Sequence, residues 1–246
     1  MPAMDDQERD AFYAELYEAT TAPFVSPALT AAEVLCFRQL TGMDSRARVL
    51  DLGCGWGRHL AALRADGFEA IGLERNGTLA AKASTHGPTV RGDVRALPFA
   101  SGLFDAVACF YSSIFFFEEA ENLDALREVA RVLRPGGAFV LQSSNPLYLR
   151  RQGVTEETHK LADGSAVFER TEFDRETGHD LGFRRLTRRD GSAVEGRYSV
   201  RHYAPGDLEA MGRRAGFKLD RVCGDLNASA FARHSRELIV LMRKLG

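Results

Sequence analysis

At 246 residues the chain is long enough to bury a full core as one domain, and its 45% hydrophobic content is that of an ordinary globular protein. A formal net charge of −2, from 32 Lys and Arg against 34 Asp and Glu, excludes the basic footprint of a nucleic-acid binder. Asp5, Asp6 and Glu8 stand where a secretory leader carries basic residues, no apolar run reaches membrane-span length, and Cys36, Cys54, Cys109 and Cys223 form no Cys-x-x-Cys pair. A cytoplasmic chain with no membrane partner, no disulfide framework and no metal site is therefore expected.

Two helices are predicted at the start, about 5–20 and 28–41, separated by Thr20-Thr21-Ala22-Pro23 and with Pro27 at the start of the second. The first carries Phe12, Tyr13 and Tyr17, so residues 1–42 read as a helical lid. From 47 to 142 strands and helices alternate, the pattern of a parallel sheet covered on both faces. The apolar run Val49-Leu50-Asp51-Leu52 breaks into Gly53, Gly55 and Gly57, then into the amphipathic stretch Arg58–Ala65, which predicts a tight turn from strand into helix. Phe68–Glu74 is a second strand with an acid at its end, 23 residues after Asp51, and Val90–Val94 is a third element with Asp93 in the loop that follows. The rhythm breaks after Asn145-Pro146. Between 150 and 203 the runs are short and punctuated by Asp163-Gly164 and Asp190-Gly191, so this region is predicted as an antiparallel insertion of three or four strands over the carboxyl edge of the sheet. Its open edge makes it a candidate acceptor-site wall or homodimer contact. The cofactor-binding core is then 43–149 with 204–246.

Ligands of open α/β sheets bind at turns like that of Gly53–Gly57, outside the carboxyl ends of strands. A dinucleotide fingerprint needs a third glycine where this chain has Arg58, and Asp51 would repel a pyrophosphate but accept a hydrogen bond from a cationic amino group. The pattern favours S-adenosylmethionine. Glu74 is placed for both ribose hydroxyls, Asp93 for the adenine amino group and Val94 for the face of the ring.

Asp51–His59 resembles the first motif of the class I S-adenosylmethionine-dependent methyltransferases, in their small-molecule branch. Phe104–Phe110 resembles that family's fourth strand, Leu126–Gly137 its next helix and turn, Tyr203–Phe217 the helix and turn into strand six, and Leu238–Met242 its last strand, so the resemblance covers about 30–246. It implies an α/β, Rossmann-like, seven-stranded and mostly parallel sheet with helices on both faces. It also implies methyl transfer from S-adenosylmethionine to an oxygen or nitrogen of a small-molecule acceptor (a natural product, sugar or amine), with S-adenosylhomocysteine as product. Cofactor contacts are expected at Asp51, Gly53, Gly55, Trp56, Glu74, Asp93, Val94 and Tyr17. On the acceptor side the resemblance points to Tyr203, His202 and Tyr111, with Tyr203 preferred. His202 and Tyr203, if in a strand, face opposite ways. Two other classes remain open: an S-adenosylmethionine-binding protein with a non-methyl or regulatory role, and a nicotinamide-dependent oxidoreductase, against which Arg58 stands.

Overall fold

The computed structural model describes Asp10 and residues 12–246; Asp5, Asp6, Glu8 and the first part of the expected 5–20 helix lie outside the described residues. The main sheet is built from β1 (Arg48–Leu52), β2 (Glu69–Glu74), β3 (Thr89–Arg91), β4 (Phe104–Cys109), β5 (Leu133–Ser144), β10 (Phe217–Cys223) and β11 (Glu237–Lys244). Their order is β10-β11-β5-β4-β1-β2-β3, and β11 alone runs antiparallel to its neighbours. Strand order reverses between β1 and β4, which opens a crevice at their carboxyl ends.

Successive side chains of the central strands enter two separate cores, so the strands read as continuous apolar runs. Leu50, Leu52, Val107, Cys109, Phe139 and Leu141 face the helices α5 (Glu119–Val132) and α7 (Pro205–Arg214). Val49, Ala106, Ala108 and Val140 face α2 (Pro27–Thr41) and α3 (Arg58–Ala65). Ser26 caps α2 by accepting from the Leu29 amide at 3.1 Å, as its Ser-Pro start requires. Helix α4 (Gly77–Ala83) follows β2, and Asn76 caps it. Among the described residues no single helix is long and apolar enough to cross a membrane.

The expected first helix is not a regular one. It is a π-helical turn, Phe12–Leu16, followed by α1 (Tyr17–Thr21) and a 3₁₀ turn, Ala22–Phe24. Packing sets this path: Phe12 and Leu16 lie over Gly196, where an added Cβ would stand 3.1 Å from Phe12 and 3.2 Å from Leu16. After β5 the short α6 (Pro146–Leu149) leads into the insertion, a four-stranded antiparallel meander of β6 (Thr155–Lys160), β7 (Ala166–Phe173), β8 (His179–Thr187) and β9 (Ala193–Arg201). Both Asp-Gly pairs sit in its hairpin turns, with Gly164 at φ +85° and Gly191 at φ +84°. In each turn the aspartate accepts from the backbone N–H of Ser165 or Ser192 at 2.9 Å. Gly182 pairs with Tyr198 across β8 and β9, and the tyrosine ring fills the space that a side chain at 182 would need.

Candidate functional site

The turn after β1 is made by glycines because its backbone is left-handed three times, with φ of +73° at Gly53, +56° at Gly55 and +94° at Gly57. Gly53 also lies against Ser113, whose Cβ would overlap any side chain there. The amides of Gly53 and Cys54 both donate to the Leu73 carbonyl at 2.9 Å, tying the turn to the end of β2. Glu74 completes the tie. Its Oε2 accepts from the Gly55 amide at 2.9 Å and its Oε1 from the Asn76 amide at 2.7 Å, and each oxygen keeps acceptor capacity for a ligand. Burial raises its pKa, opposed by these backbone N–H groups.

A cavity of about 510 Å³ opens from this turn, within the usual range for ligand pockets. Glu74, Asn76, Gly53 and Gly55 line one end together with Asp93 and Val94. Asp93 is fixed by Arg95, which donates from Nε at 3.0 Å and Nη2 at 2.8 Å. Burial would raise the Asp93 pKa, but the arginine outweighs it and holds the carboxylate charged. Tyr17 closes over Gly55, its ring 4.7 Å from Tyr13 and 5.6 Å from Trp56 between centroids.

Three expected site residues stand elsewhere. Asp51 is buried behind the turn, not on the cavity wall; its Oδ2 has no hydrogen-bond partner among the described residues, and burial pushes its carboxyl up to about 7. Trp56 packs on the outer side of Tyr17, on a small crevice shared with Arg58, and does not reach the main cavity. Tyr203, the preferred acceptor-side residue, belongs to the core: its hydroxyl accepts from Asn122 Nδ2 at 3.1 Å and its ring meets Phe115 edge-on at 4.9 Å. Asn122 on α5 offers the buried partner that a tyrosine hydroxyl needs, and this turns residue 203 inward.

His202, facing the other way, lines the cavity. Ser112 donates to Ser143 at 2.8 Å, and Ser143 is assigned as donor to His202 Nδ1 because that contact, 2.9 Å, is shorter than its alternative to the Ser144 carbonyl at 3.2 Å. The proton of the ring then sits on Nε2, which faces Asp180 at 3.9 Å. Burial, with His179 and Arg201 nearby, lowers the His202 pKa to about 3, so the ring is neutral at physiological pH.

Tyr111 also borders the cavity, but its hydroxyl is engaged, donating to Glu33 Oε1 at 2.6 Å. Tyr111 and Ser112 have φ of +57° and +59°, two consecutive non-glycine residues in the left-handed region. Such backbone persists only where surrounding bonds over-determine it. Here Glu33 holds Tyr111, while Ser112 is held by Ser143 and through its own amide by the Gln142 carbonyl at 3.0 Å. The arginine at the third glycine position, Arg58, turns to Glu33 as well, at 2.6 Å.

The sequence did not point to the groups at the far end of the cavity: Asp180 and Arg184 on β8, Tyr198 on β9, and Gln142 on β5. The usable signal was the Asp190-Gly191 hairpin, whose register sets 180, 182 and 184 on the same face as 198, 200 and 202.

Residues 50–141 match the family described as a methyltransferase domain. A demethylmenaquinone methyltransferase of Mycolicibacterium paratuberculosis is 36% identical over 105 residues, 42% of this chain and 44% of the relative, so the match spans less than half the length of that protein. A cypemycin N-terminal methyltransferase of a Streptomyces species is 28% identical over 210 residues, 82% of this chain and 84% of the relative. Among solved structures, the CcbJ methyltransferase of Streptomyces caelestis superposes with a TM-score of 0.83 at 22% identity, covering 96% of this chain and 99% of its own. CalS10, an amino pentose methyltransferase of Micromonospora echinaspora with S-adenosylmethionine bound, gives 0.72 at 23% identity over 94% and 97%.

Proposed function

We infer that this chain, a class I S-adenosylmethionine-dependent methyltransferase by its fold and its domain match, catalyses transfer of a methyl group to an oxygen or nitrogen of a small-molecule acceptor. The observation that carries the reading is Glu74: a buried carboxylate at the end of β2, fastened to the amide of the glycine turn and open to the cavity, where two ribose hydroxyls can share it. The residues present fit the cofactor. Glu74 takes the ribose, Asp93 accepts from the adenine amino group, Val94 covers the ring, and the left-handed glycines let the backbone approach the methionyl part. When bound, S-adenosylmethionine supplies a methyl carbon on a sulfonium, and the protein's main task is to orient a nucleophile toward it and exclude water. Tyr13 and Tyr17 serve as the lid, and the inner face of the β6–β9 sheet, with Tyr198, Val200 and His202, shapes the acceptor end. The cypemycin and amino pentose relatives are named for acceptors that bear an amine, which supports nitrogen.

Isothermal titration tests this: the folded protein is expected to bind both S-adenosylmethionine and S-adenosylhomocysteine, and absence of binding to either overturns the reading. Detection of a methylated product by mass spectrometry separates an enzyme from a cofactor-binding module. Glu74→Gln is expected to weaken S-adenosylhomocysteine by roughly ten- to a hundredfold, the size of one charged hydrogen bond. Unchanged affinity would remove Glu74 from the ribose site.

A further inference from the structure

The acceptor end of the cavity holds two hydrogen-bond acceptors without a donor among the described residues, the Asp180 carboxylate and Gln142 Oε1. The only arginine among the described wall residues there, Arg184, is directed to other partners: its Nε donates to Glu169 at 2.7 Å and its Nη1 to Thr21 at 2.8 Å and Thr20 at 3.2 Å, and it acts on Asp180 through its charge and not through a hydrogen bond. Tyr198 donates its hydroxyl to the same Glu169 at 3.2 Å. Asp180, two positions along the same face from Gly182, therefore has neither a cation nor a hydrogen-bond donor of its own among the described residues; His202 Nε2 stands off at 3.9 Å. Across the cavity wall, Oε1 of the buried Gln142 is also without a partner among the described residues. An unpaired buried acceptor such as Gln142 Oε1 is costly unless something donates to it, and Asp180, partly open to the cavity, is a carboxylate placed to meet a donor brought by a ligand. Aromatic rings complete the wall, from Tyr13, Tyr17, Phe116 and Tyr198. An alcohol brings one hydrogen to such a site, whereas an ammonium brings a positive charge and several.

Resting on the methyl-transfer reading above, we propose that Asp180 is the residue that recognises the acceptor as an ammonium ion and takes its proton. One proton passes from the ammonium nitrogen to an Asp180 oxygen, leaving a neutral amine with a free lone pair. That pair forms the new N–C bond as the methyl–sulfur bond breaks, the sulfur keeps the bonding electrons, and the product carries the positive charge as a methylammonium ion. Asp180 then returns its proton to solvent as product leaves. Burial, with the Glu169 charge adding to it and Arg184 opposing, pushes the Asp180 carboxyl up to about 6, close to the value a proton acceptor working at neutral pH needs. The groups that face it do not compete for that proton: His202 is held neutral by burial, Glu169 is paired with Arg184, and the Tyr198 hydroxyl is raised well above its ordinary value.

The test uses two adenosyl probes and no acceptor: S-adenosylhomocysteine, and sinefungin, which carries an ammonium-bearing carbon where the methylated sulfonium stands. Wild type and Asp180→Asn are titrated with both. S-adenosylhomocysteine is expected to bind the two proteins equally, which also shows that the variant is folded. Sinefungin is expected to bind wild type about tenfold more tightly than the variant near pH 7.5, and to lose that advantage near pH 5 as Asp180 takes up a proton. Equal sinefungin affinity for both proteins, with S-adenosylhomocysteine binding intact, overturns the role of Asp180 alone. Failure of wild type to bind S-adenosylhomocysteine overturns the methyl-transfer reading and this assignment with it.

Discussion

Gly53→Ala is expected to abolish measurable binding of S-adenosylhomocysteine and to destabilise the fold by about 2–5 kcal/mol, read from urea denaturation. Two costs add. An alanine at φ +73° enters the left-handed region, at about 1–2 kcal/mol, and its Cβ overlaps that of Ser113. Relieving the overlap moves the turn away from β4, and with it the Gly55 amide that holds Glu74. Two companion variants separate these terms. Gly42→Ala carries a φ of +64° with nothing within 4 Å of the added Cβ, so it reports the backbone cost alone and leaves ligand binding intact. Gly53→Ala combined with Ser113→Gly removes the overlap and is expected to recover part of the stability. Full recovery would mean that the backbone conformation at 53 contributes nothing.

Glu33→Gln is the second substitution with a large expected effect, a loss of about 3–5 kcal/mol near neutral pH. Glu33 lies on α2 with its side chain fully enclosed, and three donors converge on it: Arg58 at 2.6 Å, His59 at 2.7 Å and Tyr111 at 2.6 Å. Burial by itself would raise its pKa, but the bonds from His59, Arg58 and Tyr111 outweigh burial and hold the carboxyl down to about 2. Its contribution is therefore complete above the ordinary value of 4.5 and is lost as the pH falls through that value toward 2. His59, which burial lowers to about 4 from 6.5, adds a separate loss over that higher interval, because the unfolded chain takes up its proton first. Urea denaturation at several pH values checks both: wild type is expected to lose stability from below about pH 6.5, and the gap to Glu33→Gln to narrow only below about 4.5. A gap that is constant with pH would show that the Glu33 carboxyl has the same pKa in the folded and unfolded chains, so that its three partners do not hold it down.

The main sheet was legible because its central strands, β1 and β4, are buried on both faces and read as short apolar runs, the first of them breaking into a glycine turn. Gly53, Gly55 and Gly57 marked the first such turn, and each adopts the positive φ that their spacing implied. The insertion was legible through its two Asp-Gly turns. The 12–24 segment was not, because its path follows from the hollow over Gly196 in a strand far away in sequence. For the acceptor end, alternation stated that His202 and Tyr203 part company, but only Asn122, on another helix, decides which of them turns into the core. Asp180 was hidden for a related reason: in His179-Asp180-Leu181-Gly182 either face reads as half-polar until the register with β9 is known. Asp51 shows the opposite difficulty, since its motif position was unmistakable while its carboxylate is enclosed and is not part of the cavity wall.

The bonds from Arg184 to Thr20 and Thr21 join residues 164 and 163 positions apart, and they fasten the N-terminal segment beneath the β6–β9 sheet. A chain made from its N-terminus cannot form this join until residue 184 has been synthesised. The aromatic segment must then wait, with Phe12 and Leu16 lacking their strand partners. Closing so long a loop is slow compared with forming the local β–α units of the main sheet. The ligand cavity is thus completed late in folding, over a nucleotide-binding sheet whose first four strands have already left the ribosome.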